Sequence, residues 1–481
     1  MRLPVSIRTL GVLFLLFSTT VLPPLIMSIV HKDGFETEFS ISFFAALLIG
    51  LLLWAPMRKH RDAIRTRDGF LIVALMWVGM SLLGAVPFML SLDMSFIDSL
   101  FEATSGYTTT GSTVIVGLDA LPQSILLYRQ EIQWFGGIGV IVVAIALLPM
   151  LGVGGMQLYK AETPGPLKDE RITPRIARTA KNVVFIYIAL TASCALAYWL
   201  AGMGSFDAIA HSFSTLSTGG YSTHDASLGF YDSSAINTVA VVFMLVGSIS
   251  FSVHFIAWRQ LRPDYYAKDA QTRAFLLISL ALTAFVALQL FTQGAADSGP
   301  NAIELAAFEV ASVISSTGFG VADFATWPLD LPVLMIFLSF IGGCAGSTAG
   351  GMKVIRFLIL GKQARAHVRK LIHPQSMNPI RIDGHVVQAS VIEGIWGFFT
   401  VYVAIFATFM IILTLDGMDQ VTAFGAVATC LNNLGPGLGD VALNFASVSS
   451  GGKLLLVLAM LFGRLEIFTI LVLATPGFWR A

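Results

Sequence analysis

The sequence predicts an all-α integral membrane protein in which four similar units surround one axis. Of its 481 residues, 56% are hydrophobic and 12% are charged, whereas about 25% of the residues of a soluble domain are charged. The apolar residues fall into segments long enough to cross a bilayer. Between these segments, four clusters of glycine with serine, threonine or asparagine recur at matching offsets.

The apolar segments set the number of membrane crossings. About 20 residues at a rise of 1.5 Å per residue cross a hydrocarbon core of about 30 Å. The first segment lacks the small-residue cleavage site of a signal peptide, so we expect it to be retained as a helix. The ten predicted spans are 8–30, 39–56, 70–91, 128–151, 180–202, 233–258, 274–293, 331–360, 389–415 and 453–474.

Basic residues lie on alternate connections between these spans. Short loops rich in lysine and arginine stay on the cytoplasmic side of a membrane. The basic connections are 58–67, 152–181, 259–273 and 361–388. The connections without any lysine or arginine are 92–127, 203–232 and 294–330. We therefore expect both termini in the cytoplasm, and the basic loops are expected to meet anionic membrane lipid.

Several classes of function are excluded at this stage. The 29 basic and 29 acidic residues balance, so nothing indicates a nucleic-acid partner. Cys194, Cys344 and Cys430 are too far apart for a CxxC motif or a disulfide framework. The chain has no HExxH or GxSxG motif and no pair of carboxylates within a span. We therefore predict that it is not an enzyme and binds no organic cofactor.

The four glycine clusters define an internal repeat of roughly one hundred residues. They are TTTGS at 108–112, STGGYS at 217–222, SSTGFG at 315–320 and NNLGPG at 432–437. The glycines that align are Gly111, Gly220, Gly318 and Gly435. Six residues before them lie Ser105, Ser214, Ser312 and Thr429. Acidic residues expected near the start of a short helix are Asp98, Asp207, Glu304 and Asp419. Glycines expected to pack in the following spans are Gly136, Gly247, Gly342 and Gly463.

Four such units around one axis are suited to a cation pathway. Non-helical backbone at membrane depth must be buried in protein or line a watery cavity. A ring of backbone carbonyls can replace the hydration shell of a cation, and glycine permits the backbone angles this needs. The alternative is that the glycines only let helices pack closely. Four clusters at matching offsets disfavour that alternative.

Longer motifs accompany the repeat: STGGYSTHD at 217–225, IGGCAGSTAGGMKVIR at 341–356, NNLGPGLG at 432–439 and FGRLEIF at 462–468. Together with the TTTG loop, they resemble the TrkH branch of the Trk/Ktr/HKT superfamily of potassium transporters. The resemblance implies a fold of two preliminary transmembrane helices plus four potassium-channel-like M1-P-M2 repeats around a central pore, in the bacterial inner membrane. The implied parts are residues 1–68 for the preliminary helices, then 69–152, 153–258, 259–361 and 362–481 for the repeats.

The resemblance also implies which residues form a potassium filter. The family coordinates the ion with each filter glycine and the two residues before it. These positions are Thr109, Thr110 and Gly111; Thr218, Gly219 and Gly220; Ser316, Thr317 and Gly318; and Asn433, Leu434 and Gly435. In HKT relatives a serine at the first filter glycine accompanies sodium selectivity. This chain has Gly111 there, which favours potassium, although NNLGPG departs most from the other three clusters.

Two features inside the membrane are expected to form a gate. The run GGCAGSTAGG at 342–351 interrupts a span, and it lacks the GxxxxGK[ST] spacing of a phosphate loop. By resemblance it is an intramembrane gating loop, and its predicted gating residues are Gly342, Gly343, Gly346, Ser347, Thr348, Gly350 and Gly351. A lone arginine in a span, Arg464, is expected to be functional. Its neighbour Glu466 has two open interpretations, a pair with Arg464 or a contact between helices.

The resemblance implies partners as well. These are a second copy of the chain in a homodimer and a cytosolic, TrkA-type nucleotide-binding ring that gates the pore. A secondary transporter with broken helices is disfavoured because its site usually lies between two inverted halves. Channel-like permeation and coupled symport both stay open.

Overall fold

Helices make up nearly all the regular structure of the computed structural model, which describes residues 3–60, 62, 65–146, 174–296, 298–328 and 331–480. The first helices are α1 (Leu3–Ser18), α2 (Leu22–His31), α3 (Glu36–Met57), α4 (Thr66–Ser91), α5 (Phe96–Tyr107) and α6 (Gln123–Ala146). Next come α7 (Pro174–Leu200), α8 (Ser205–Leu216), α9 (Ser234–Gly247), α10 (Phe251–Gln260), α11 (Asp264–Lys268), α12 (Ala270–Thr292) and α13 (Gly299–Ile314). The remaining helices are α14 (Leu331–Ile341), α15 (Val354–Ile372), α16 (Ala389–Leu415), α17 (Gln420–Asn432), α18 (Ser450–Arg464), α19 (Phe468–Ala474) and α20 (Pro476–Trp479). A hairpin pairs β1 (Arg381–Ile382) with β2 (His385–Val386).

The order of these helices confirms the predicted fold class. α1 and α2 together form one span, Leu3–His31, which packs against α3 as the preliminary pair. Each repeat then has a first span, a short pore helix and a second span. The repeats are α4 to α6, α7 to α10, α12 to α15 and α16 to α19. The pore helices are α5, α8, α13 and α17.

The number of helices that can cross a bilayer follows from length and apolarity. In the described ranges six helices pass this test, and two bent pairs raise the number to eight if each pair is one span. The predicted span 128–151 overlaps α6, and its last residues lie outside the described part. The predicted span 331–360 is divided into α14 and α15 by the glycine run.

Two of the predicted spans are each divided into two helices by a sharp bend. The span 233–258 bends by 96° between α9 and α10, and the span 453–474 bends by 111° between α18 and α19. At the first bend, Cys344 donates its backbone N–H to the Ser248 carbonyl, and Phe251 donates to the Gly346 carbonyl. The glycine run of repeat 3 therefore takes up backbone groups that a straight helix in repeat 2 would use itself.

His254 has a packing role at the first bend. Its Nε2 lies 3.0 Å from the Val246 carbonyl oxygen in the last turn of α9, and its Nδ1 lies 2.8 Å from the Tyr266 hydroxyl. A neutral imidazole satisfies both contacts if Nε2 donates and Nδ1 accepts. The imidazole thus joins α10 across the bend to α9 and to the short helix α11.

The acidic residues predicted at pore-helix starts lie there in three of four repeats. Asp98 and Asp207 are in the first turns of α5 and α8, and Asp419 caps α17 by accepting from the backbone N–H groups of Val421 and Thr422. The prediction was wrong for Glu304, because α13 begins at Gly299. Instead, Glu304 accepts hydrogen bonds from Ser234 and Asn237 of α9.

The connections predicted to lie in the cytoplasm are only partly described. The predicted basic loop 152–181 lies mainly outside the described residues, as does the predicted boundary between repeats 1 and 2. The basic connection 361–388 contains the end of α15 and the β1–β2 hairpin. Beside the hairpin, Lys362 donates to the Arg381 carbonyl at 2.6 Å.

An ion pair joins repeats 4 and 1. Lys453, which is 7% exposed on α18, places Nζ 2.6 Å from Oδ1 of Asp98 on α5. Because methionine cannot pair with the partly buried Asp98, Lys453→Met is expected to destabilise the protein by about 1–3 kcal/mol. The loss is measurable as a lower Tm in detergent. The double variant with Asp98→Asn should recover part of it, and fully additive losses would contradict the pair.

Candidate functional site

The four glycine clusters share one hydrogen bond to their own pore helix. The residue before each filter glycine donates its backbone N–H to the carbonyl of the serine or threonine six residues before that glycine. The bonds are Thr110 to Ser105 at 2.8 Å, Gly219 to Ser214 at 2.8 Å, Thr317 to Ser312 at 2.8 Å and Leu434 to Thr429 at 2.9 Å. The repeated serine or threonine therefore marks the turn by which each segment leaves its pore helix.

The same backbone conformation recurs in all four segments. The first residue of each is left-handed, with φ of 52° at Thr109, 52° at Thr218, 54° at Ser316 and 53° at Asn433. The filter glycine is left-handed too, with φ of 85° at Gly111, 77° at Gly220, 83° at Gly318 and 106° at Gly435. Left-handed angles at alternate residues direct consecutive carbonyls to one side, and non-glycine residues adopt them only at a cost.

The filter glycines pack in a closed ring. A Cβ added at each would meet a carbonyl oxygen of the next repeat. The contacts would be Gly111 to Gly219 at 2.2 Å, Gly220 to Thr317 at 2.0 Å, Gly318 to Leu434 at 2.0 Å and Gly435 to Thr110 at 3.0 Å. The repeats therefore follow one another around the axis in sequence order, and the fourth meets the first. All twelve predicted filter residues lie in this ring.

The fourth segment differs most in sequence but keeps the same backbone. The Asn433 amide nitrogen lies 2.9 Å from the Thr110 hydroxyl and 3.1 Å from the Met460 carbonyl oxygen. The Ser112 hydroxyl donates to the Gly435 carbonyl at 3.0 Å. The contacts with Thr110 and Ser112 join the fourth segment to the first, and the contact with Met460 joins it to α18.

The glycines predicted to pack in the span after each filter segment let three of these second spans approach their pore helices. A Cβ at Gly136 would lie 2.1 Å from the Tyr107 carbonyl oxygen, and one at Gly463 would lie 2.2 Å from that of Leu431. At Gly247 the contact with the Leu216 carbonyl would be 3.1 Å. These three glycines have the predicted packing role. Gly342 instead meets the Gly350 carbonyl, because its helix has already ended at Ile341.

The glycine run of repeat 3 crosses beneath the ring. The Thr348 hydroxyl lies 3.0 Å from the carbonyl oxygens of both Leu216 and Gly247 in repeat 2. Gly350 donates its N–H to the Ser316 hydroxyl, and Gly351 donates to the Asn432 carbonyl at 2.9 Å. The run is thus attached to repeats 2, 3 and 4 just below their filter segments.

Two other predicted gating residues, Gly343 and Ser347, make contacts that shape the glycine run itself. Gly343 accepts a hydrogen bond from the Val354 backbone, and a Cβ there would lie 2.9 Å from the Ser248 carbonyl oxygen. The Ser347 side chain contacts its own turn, donating to the Cys344 carbonyl at 2.7 Å.

Arg464 reaches the glycine run from repeat 4. Its Nη1 donates to the Thr348 carbonyl at 2.8 Å, whereas Nε and Nη2 have no hydrogen-bond partner within the described residues. Of the two interpretations of Glu466, the contact between helices is observed. Its carboxylate lies 2.7 Å from Nη2 of Arg356 on α15.

Sequence reasoning missed two basic residues in this region. Lys353 has φ of 75° and donates through Nζ to the Ala349 carbonyl, and the guanidinium of Arg356 lies 4.0 Å from the centre of the Phe398 ring. Both line the same cavity of about 50 Å³ as Arg464 and Asn433. The available signal was a lysine and an arginine directly after a glycine run within an apolar stretch.

The mouth of the ring formed by the loops after the first two filter segments is acidic. Asp119 lies 2.5 Å from Nδ1 of His224, which joins the loops after the first and second filter segments. The hydrogen bond from His224 lowers the pKa of the Asp119 carboxyl below its usual 3.8. Asp225 accepts from the Gly117 backbone N–H at 3.0 Å. Ionised carboxylates at the mouth raise the local concentration of cations.

Four helix–loop–helix repeats that bring four matching backbone segments to one axis define a membrane transport protein of the potassium-channel-like class. Comparisons with known proteins are consistent with this class and give the family. Residues 36–480 match the family described as TrkH, cation transport protein. The chain belongs to the TrkH family.

Relatives resemble the chain over its whole length. The Trk system potassium uptake protein TrkH of Vibrio parahaemolyticus is 50% identical over 479 residues, 99% of each chain. The protein of the same name from Escherichia coli is 47% identical over 475 residues, 98% of each. A crystal structure of the potassium transporter TrkH from Vibrio parahaemolyticus superposes with a TM-score of 0.93 over 100% of both chains, at 47% identity. The predicted family and multi-pass membrane fold are confirmed, and the family consists of transport proteins rather than enzymes.

Proposed function

We propose that this protein carries potassium ions into bacterial cells across the inner membrane, with both termini in the cytoplasm. One observation carries the proposal: four backbone segments with the same left-handed angles close into a ring, each glycine against a carbonyl of the next repeat. Potassium as the ion is supported by the names of the relatives, which are potassium uptake proteins.

The ring acts as a selectivity filter in this proposal. A hydrated potassium ion enters from the acidic outer mouth and exchanges water for carbonyl and hydroxyl oxygens of the twelve filter residues. The partially negative C-terminal ends of the four pore helices favour a cation at the same level. Glycine at all four filter positions, including Gly111, lets a carbonyl of the next repeat approach closely enough to keep the ring closed around the ion.

The glycine run at 342–351 acts as the gate. It lies beneath the filter and is held by Thr348, Gly350 and Gly351, so a resting ion cannot pass without displacing it. Arg464 and Lys353 add positive charge to the cavity below the filter. Their charge disfavours a cation in the closed state, and opening requires the run and Arg464 to move together.

The gate is controlled from the cytoplasm by a TrkA-type nucleotide-binding ring, and the protein works as a homodimer. Support for a partner comes from the relatives' names, which place them in a Trk system. The exposed end of α15 and the β1–β2 hairpin offer a cytoplasmic surface directly connected to the gate. In this proposal the preliminary helices end at residue 68, and the four repeats cover 69–152, 153–258, 259–361 and 362–481.

Ion flux through the purified protein tests the function. We expect vesicles that contain it to show a reversal potential that follows the potassium gradient and responds weakly to sodium. Separate potassium, sodium and proton gradients distinguish channel-like permeation from symport, since a coupled ion would shift the reversal potential. Protein-free vesicles are the control, and a potential that ignores potassium would refute the proposal.

A further inference from the structure

A buried polar position recurs behind the filter. Nine residues before the filter glycines lie Glu102, His211, Glu309 and Ala426. The first three are at most 1% exposed and contact the extended segment that follows their own filter glycine. Glu309, for example, accepts from the backbone N–H groups of Val321 and Ala322 at 2.9 and 3.1 Å. This position thus supports the outer end of the filter.

Repeat 1 adds a buried arginine to this arrangement. Arg129 on α6 is 1% exposed and places Nη2 2.9 Å from Oε1 of Glu102. Glu102 also accepts from the backbone N–H of Val114 at 2.9 Å. The positions equivalent to Arg129, seven residues before the later glycine of each span, are Ala240, Met335 and Leu456. The charged pair is therefore particular to repeat 1.

Arg129 contacts the segments that follow the filter glycines of repeats 1 and 2 at once. Its Nη2 donates to the Thr113 hydroxyl at 3.1 Å and its Nη1 donates to the Ser222 carbonyl at 3.1 Å. Thr113 lies two residues after the filter glycine of repeat 1, and Ser222 lies two residues after that of repeat 2. The guanidinium plane also lies 4.2 Å from the ring centre of Tyr221.

One turn further along α6, Gln133 continues the contact with repeat 2. Its Nε2 donates to the carbonyl of the filter residue Gly219 at 2.6 Å, and its Oε1 accepts from the Tyr221 backbone N–H at 3.1 Å. The Tyr221 hydroxyl returns to repeat 1 by donating to the Glu102 carbonyl at 2.9 Å. Side chains of repeat 1 therefore hold the second filter segment from behind.

We propose that Arg129 is a positioning residue that sets the spacing between the first and second filter segments and thereby the preference for potassium over sodium. The inference rests on the filter assignment made above. A planar guanidinium with several directed donors fixes the distance between its acceptors, which a flexible side chain cannot do. Loss of either charge leaves the other buried without its partner, so the two segments would shift.

Reversal potentials of vesicles containing Arg129→Gln and Glu102→Gln test the proposal. We expect each variant to raise sodium permeability relative to potassium by about tenfold, since loss of a buried partner disturbs the geometry strongly. The double variant should recover part of the preference, because a neutral pair can keep hydrogen bonds. Arg262→Gln and Asp264→Asn are the matched controls. Arg262 and Asp264 form an arginine–carboxylate pair with Nη2 and Oδ2 2.7 Å apart, but both side chains are exposed and neither contacts the filter, so the permeability ratio should stay near that of the native protein.

The outcomes separate the positioning role from a general role in folding and from the filter assignment. If folded Arg129→Gln and Glu102→Gln keep the native permeability ratio while Gly111→Ser changes it, the positioning role is wrong and the filter stands. If Gly111→Ser also leaves the ratio unchanged, the filter assignment itself fails. Should the neutral variants not fold, Arg129→Lys keeps the charge without the planar fork. We expect it to lose part of the preference, and a native ratio in that variant overturns the proposal.

Discussion

Gly111→Ser is expected to remove most of the preference for potassium over sodium. Gly111 has φ of 85°, and a Cβ there would lie 2.2 Å from the Gly219 carbonyl oxygen. No side chain fits at that distance, so the first and second filter segments must separate. A left-handed angle alone costs an ordinary residue about 1–2 kcal/mol, and a difference of about 1.4 kcal/mol between two ions is tenfold in preference. We therefore expect at least a tenfold fall in the potassium to sodium permeability ratio.

A matched control separates backbone strain from crowding at the filter. Gly117 has nearly the same φ, 82°, but nothing lies within 4 Å of a Cβ added there. Gly117→Ser should therefore leave the ratio unchanged in the same reversal-potential measurement. Gly435→Ser should act less strongly than Gly111→Ser, since its Cβ contact is 3.0 Å. An unchanged ratio in folded Gly111→Ser would contradict the filter assignment.

The ring of four glycine segments could be predicted from the sequence because each segment repeats the same local requirement. A pore helix ends, the chain turns back to its carbonyl six residues before the glycine, and the glycine takes a left-handed angle against the next repeat. The helix end, the turn and the left-handed glycine depend on residues close in sequence, so they leave a pattern of spacing, whereas the contact with the next repeat joins residues about a hundred positions apart. Even NNLGPG could be aligned with the others, because Gly435 and Thr429 keep that spacing.

The bends and the buried charges could not be predicted in the same way. The stretch 248–250 lies within an apolar segment, and its helix ends there because the glycine run of repeat 3 takes its backbone hydrogen bonds. Glu102 and Arg129 are 27 residues apart and meet only when α5 packs on α6. Such contacts between distant elements leave no periodic signal. An arginine within an apolar span does, however, indicate a functional or paired position.

Arg464→Ala is expected to raise potassium flux in the absence of the cytosolic regulator. Arg464 contributes a positive charge to the cavity beneath the filter and holds Thr348 of the glycine run at 2.8 Å. A unit charge about 5 Å from a passing cation costs about 3 kcal/mol at an effective dielectric constant of 20. Alanine removes both this repulsion and the attachment of the run. We therefore expect basal flux to rise more than tenfold, measured in vesicles without regulator.

The contribution of charge can be separated from that of the hydrogen bond. Arg464→Lys keeps the charge and one donor, so we expect basal flux close to that of the native protein. Arg464→Gln keeps a hydrogen-bond donor but not the charge. If it raised basal flux as much as alanine does, the positive charge rather than the hydrogen bond would keep the pore closed. Arg262→Ala, which removes an exposed arginine paired with Asp264, should change nothing. If Arg464→Ala left both basal flux and the response to the regulator unchanged, Arg464 would have no part in the gate, and the glycine run alone would have to close the pore.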